Sequence, residues 1–221
     1  MEELLIEHGA PTLAGLKTAN LFTVNMDGED IVLSLRAANR VLNKKGMKVI
    51  PLRRSSSGKT LIYLFRPDRL EDDLSHPEAV CMLKERGYPC GNYGKCIHCL
   101  IHHLEEDASF PHEIGLFLGY PPSDVRSFIK SPYEGVKCSG CWKAYSNEIE
   151  TKKLFDSYKK CTCIYSRKMK DGRSLESLAV RSRKREVFQS SSSAAAPWKT
   201  GGKDREEVST HQALTFSQRL C

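Results

Sequence analysis

The 221-residue chain has no apolar run near the roughly 18 residues of a membrane span. Its opening, Met1-Glu2-Glu3-Leu4-Leu5-Ile6, is acidic and only briefly apolar, whereas a secretory leader needs a basic start and a longer apolar stretch. The expected compartment is therefore cytoplasmic. The chain also lacks a phosphate loop: Ser55-Ser-Ser-Gly-Lys-Thr60 misses the first glycine and joins one strand-like run to another. There is no G-x-S-x-G elbow and no G-x-G-x-x-G dinucleotide fingerprint. No internal repeat is present.

Cysteine, by contrast, is plentiful. Nine cysteines, an odd number, in a chain read as cytoplasmic favour thiols, metal ligands or redox pairs over a disulfide framework. The formal charge of +7 is unevenly placed. From Arg167 to Cys221 there are 12 basic and 6 acidic residues, so the rest of the chain is almost neutral. Polyanion binding then falls to the tail, where the short run Arg181-Ser-Arg-Lys-Arg185 would touch nucleic acid only weakly; such a run is more often a solvated helix end.

The hydrophobic pattern predicts an α+β fold: a small, mainly antiparallel sheet packed with several helices. A loop or short helical turn from Ala10 leads to a strand at Leu21–Val24. Ile31, Leu35, Ala38 and Leu42 recur at a helical period, predicting a helix over 30–45 that Gly46 ends. Runs at Lys48–Arg53 and Thr60–Phe65 predict a hairpin, with Pro51 marking an edge or a bulge. Helices follow over 67–86, with a break at His76-Pro77, over 95–106, from Ser109 or Phe110 to Leu118, over 124–129 capped by Ser123, and over 148–170. Trp142–Tyr145 reads as a strand and a candidate fourth member of the sheet. The domain is expected to occupy 1–172. A basic, low-complexity, disordered tail would follow over 173–221, with room for one helix over 174–189.

Two Cys-x-x-Cys pairs stand out, Cys96-Ile-His-Cys99 and Cys138-Ser-Gly-Cys141. Zinc and iron–sulfur centres need thiolates converging on one point, and a two-residue gap lets one turn supply two. Cys138 and Cys141 in a small-residue turn suit a zinc knuckle, and Cys96, Cys99 and His103 fall on one helical stripe that could complete the site. Dithiol redox chemistry and inert, core-filling thiols are the alternatives. Cys161 reads as core. His112 and Glu113, near a helix start, could bind an anion or a metal or move a proton, or merely cap the helix. His8, Thr12, Lys17 and Asn20 could line a ligand pocket with them, or fix a loop.

Three segments, His8–Phe22, Phe110–Pro121 with Asp124-Val125, and Cys138–Tyr145, together resemble an uncharacterised bacterial domain-of-unknown-function family of the DUF 3793 type. Phe155, Tyr158–Cys161 and Gly172-Arg-Ser-Leu extend the resemblance, which covers about residues 5 to 180. It implies an anaerobic bacterial setting in the company of flavodoxin and iron-uptake functions. Redox or metal roles and a redox or iron-handling partner would follow. It implies no established activity. Members often carry Cys after the first His, where this chain has Gly9.

Three functional expectations result. The first is a metal- or cluster-binding accessory protein with zinc or an iron–sulfur cluster held by Cys138, Cys141, Cys96, Cys99 or His103. The second is an enzyme or small-ligand binder built from His8, Lys17, Asn20, His112 and Glu113. The third is a structural domain with inert thiols.

Overall fold

The structure, a computed structural model, describes residues 1–182 except Asp27, Ser56, Asp107 and Ala108. Helix α1 (Glu2–Leu13) leads into strand β1 (Ala19–Asn25). Then come α2 (Gly28–Leu42), one 3-10 turn, β2 (Lys48–Arg54) and β3 (Lys59–Phe65). Helices α3 (Pro67–Leu74), α4 (Pro77–Glu85), α5 (Tyr93–Glu106), α6 (Ile114–Phe117) and α7 (Pro122–Lys130) follow. A small hairpin, β4 (Cys138–Ser139) and β5 (Lys143–Ala144), precedes the long α8 (Glu148–Lys170) and the short α9 (Leu175–Leu178).

The main sheet is antiparallel with order β1-β3-β2, so β3 is central. Its sequence, Lys-Thr-Leu-Ile-Tyr-Leu-Phe, is nearly all apolar because both of its faces are covered. Strand alternation sends Ala19, Leu21, Tyr63 and Phe65 into a core shared with α3 to α7, Trp142, Ala144 and Tyr158. It sends Phe22, Val24, Val49, Ile62 and Leu64 into a second core with α1, α2, the later turns of α8 and α9. Pro51 lies on edge strand β2, and the register shifts between Pro51 and Arg53, so it marks both an edge and a bulge.

The α+β fold is thus as the pattern predicts, with local differences. The first segment is a full helix rather than a loop or turn: Leu5, Ile6, Ala10 and Leu13 bury one face, and this burial outweighs the hydrogen bond lost at Pro11. The break expected at His76-Pro77 does divide 67–86 into two helices, and the His76 ring accepts a hydrogen bond from the Glu78 N–H there. The helix expected from Ser109 or Phe110 shrinks to Ile114–Phe117, because residues 111–116 are linked by three-residue turn bonds. Pro121, not Ser123, stands at the N-cap of α7.

Trp142–Tyr145 does not extend the main sheet. Asp124 of α7 holds the Trp142 Nε1–H, the Tyr145 N–H and the Ser146 hydroxyl, and this pins the strand away in its own hairpin. Packing also continues past Gly172. Leu175, Leu178 and Ala179 are buried, and buried Arg66 donates to the carbonyls of Thr12, Leu13 and Val180 and to the Ser182 hydroxyl. Of the helix expected over 174–189, α9 forms over four residues and 179–182 are non-helical; the remainder, with Arg183–Arg185 and the low-complexity tail, lies outside the described residues.

Candidate functional site

The site begins where α1 stops. Gly15 adopts φ 77°, a left-handed turn that glycine tolerates best, and the Leu16 and Lys17 N–H groups return to the Pro11 carbonyl. The chain is thereby aimed into β1 with the Lys17 side chain turned inward, 7% exposed. Its Nζ lies 3.5 Å from the Tyr120 hydroxyl and 5.0 Å from that ring's centroid. No carboxylate is paired with it among the described residues. Burial lowers its pKa to about 8, partly offset by the neighbouring Cys141 thiol.

Tyr120 is delivered by Gly119, another left-handed residue (φ +73°) packed so closely on Thr18 that a Cβ would stand 2.6 Å from its hydroxyl. The Tyr120 hydroxyl donates to the Cys141 carbonyl at 3.0 Å, and its ring stacks on Trp142 with centroids 4.7 Å apart. Trp142 meets Phe155 edge-on and donates to Asp124, which is 1% exposed. Gly140 completes the hairpin: a Cβ there would reach 2.4 Å from the Phe155 ring. The two sulfurs of Cys138-Ser-Gly-Cys141 thus sit on one clamped turn, both half-buried and both packed against the same core. Burial raises both thiol pKa values. Lys17 and then Lys159 oppose this at Cys141; at Cys138, Glu148 raises the pKa further and Lys152 opposes it.

A second polar cluster lies on α5. Cys96 is buried and donates to the Pro89 carbonyl; burial pushes its pKa up to about 11. Cys99 Sγ is 3.7 Å from His103 Nε2. On its other side, His103 Nδ1 is 3.1 Å from the Tyr88 hydroxyl and 3.4 Å from Glu113 Oε1, to which Tyr88 also donates at 3.0 Å. Burial and Glu113 both raise the Cys99 pKa. His112 lies against Phe128 instead, and burial lowers its pKa.

The sequence-derived groups are therefore redistributed. Cys138 and Cys141 join Lys17, whereas Cys99 and His103 join Glu113. The five-residue pocket does not form: His8 stacks on Phe22 and Asn20 accepts from Thr12 on the α1 side of the sheet, while Lys17 and Glu113 reach the opposite core. Strand alternation is the reason, since Asn20 and Phe22 share one face of β1. Among the described residues, no group of three or more His, Cys, Asp or Glu is placed to hold a metal ion. Sequence reasoning missed Tyr120, Asp124 and Tyr88. Both tyrosines sit in a Gly-Tyr-Pro triplet, at 87–89 and 119–121, whose glycine and proline signal only that a helix ends.

No curated protein and no solved structure matches the chain. A family model described as a protein of unknown function, DUF3793, matches residues 5–179, which spans α1 through α9 and includes both clusters. The chain therefore belongs to the DUF3793 family.

Proposed function

We propose that this is a dithiol redox protein in which Cys138 and Cys141 cycle between thiols and a disulfide, with Lys17 as proton acceptor for Cys141. The observation that supports this most is the buried Lys17 amine without a carboxylate partner, set beside Cys141 and Tyr120. A buried ammonium without a counter-ion is costly, and a nearby thiolate would relieve that cost. Cys138 is the more accessible attacker. Its thiolate attacks a substrate disulfide and releases one thiol; Cys141, deprotonated by Lys17, then attacks the mixed disulfide and releases the second. Two protein thiols are oxidised and one substrate disulfide becomes two thiols. A reducing cytoplasm and a redox or iron-handling protein partner fit this chemistry.

In redox buffers of graded glutathione ratio, peptide mapping of the full chain is expected to reveal a Cys138–Cys141 disulfide at intermediate poise. The bond should be lost in Cys141→Ser and form about ten-fold more slowly in Lys17→Gln. If wild type shows no such bond at any poise, the proposal fails.

A metal- or cluster-binding accessory role is the second reading. The 3.7 Å Cys99–His103 separation favours it, being close to the roughly 3.6 Å between sulfur and nitrogen ligands of tetrahedral zinc. Two ligands do not make a site, whereas a dithiol needs only two sulfurs. Metal analysis of protein purified without oxygen separates the two: stoichiometric zinc or iron lost in Cys99→Ser would support the metal reading, and its loss in Cys138→Ser as well would replace the redox proposal.

A further inference from the structure

The α5 cluster is spatially and chemically distinct from the Lys17 hairpin. We infer that Cys99 is a second reacting thiol, specific for an uncharged hydroperoxide, with His103 as its base and Glu113 and Tyr88 as positioning residues.

The geometry carries the inference. With Nδ1 protonated and facing Glu113 Oε1 and the Tyr88 hydroxyl, the Nε2 lone pair of His103 faces Cys99 Sγ at 3.7 Å. This is nucleophile, base and orienting acid in sequence. Cys99 and His103 are four residues apart on α5, so one helix face sets their spacing. Glu113 is 2% exposed and its second oxygen, Oε2, is buried without a hydrogen-bond partner among the described residues. An ordinary structural carboxylate satisfies both oxygens. Here one acceptor is left open beside a reactive pair.

The surroundings select the substrate class. The buried Glu113 carboxylate disfavours an anionic substrate. Acyl transfer would call for a pair of backbone N–H groups as an oxyanion hole. Cleaving an O–O bond needs instead a proton for the departing oxygen, which the imidazolium formed at His103 supplies. Phe117, packed against Tyr88, gives the cluster an apolar wall, which favours an apolar organic group.

The step balances. His103 takes the Cys99 proton, sulfur attacks the outer peroxide oxygen, and the O–O bond breaks. The alkoxide takes the proton back and leaves as an alcohol, with Cys99 as sulfenic acid. Cys96, one turn earlier on α5, condenses with it, releasing water and leaving a Cys96–Cys99 disulfide.

The test uses the full chain, reduced without oxygen, then exposed to substoichiometric cumene hydroperoxide with dimedone and mapped by peptide mass spectrometry. Cys81 and Cys163 are exposed and serve as internal standards. Cys99 oxidation, read as the Cys96–Cys99 disulfide or as a dimedone adduct in Cys96→Ser, is expected to outpace both standards by about 100-fold. It should fall to their rate in His103→Gln and persist in Cys138→Ser, which separates this site from the hairpin. Oxidation that follows exposure, with Cys81 and Cys163 leading in wild type, would overturn the inference without recourse to any variant. Faster reaction with hydrogen peroxide than with cumene hydroperoxide would overturn the apolar assignment.

Discussion

At the residue scale, Lys17 gives the sharpest thermodynamic signature. Its pKa falls from 10.5 unfolded to about 8 folded, so between these values the unfolded chain binds more protons and stability rises with pH. Below about pH 8 the fold carries a buried ammonium at a cost of about 3 kcal/mol. Lys17→Met should therefore stabilise the protein at pH 7 by up to that amount while slowing dithiol cycling about ten-fold, and the gain should shrink toward pH 10. Cysteine and tyrosine thiols and phenols held above their usual pKa values lose stability over the same upper range. Urea midpoints of wild type and Lys17→Met must thus be compared as a difference. A pH-independent loss in the mutant would contradict the assignment. Gly140 makes a second prediction: Gly140→Ala should cost about 1–3 kcal/mol by pushing the hairpin off Phe155, visible as a lower melting temperature.

At the element scale, legibility tracks how local the determining force is. The helix over 148–170 and the strands over 48–54 and 59–65 were readable because their periodicity and their breakers lie within each segment. The first helix was obscured by Pro11, because the burial that overrides it comes from β1, β3, α8 and α9. The Trp142 strand was recognisable as extended, but its partner was not, since Asp124, eighteen residues earlier, decides where it docks. The site shows the same limit. The Cys-x-x-Cys motifs were legible as chemistry, yet their companions, Lys17 for one pair and Glu113 for the other, arrive through tertiary packing. The expected pocket had brought Lys17 and Glu113 together from distant segments, whereas packing gives them different cysteines.

At the scale of the whole molecule, Arg66 is the joint. Its guanidinium ties the end of α1 to the segment after α9, and burial lowers its pKa through desolvation, opposed by Asp68. Removing it takes one of two donors from each of the Thr12 and Leu13 carbonyls, which keep the Gly15 and Val180 N–H groups, and also the donor to the Val180 carbonyl, so Arg66→Met should cost about 1–3 kcal/mol and raise protease sensitivity near Val180. A chain ending at Gly172 should lose more, about 5 kcal/mol, because Leu175 and Leu178 are removed along with the Val180 contact.

The same joint imposes an order on synthesis. Helix α1 is made well before part of what covers it, Tyr165, Leu175 and Leu178. At translation rates of roughly 5–20 residues per second, Leu5, Ile6 and Leu13 wait on the order of 10 s for these partners. Until then part of the apolar face of α1 is open to chaperone binding, and slowing translation should lengthen its exposure in proportion.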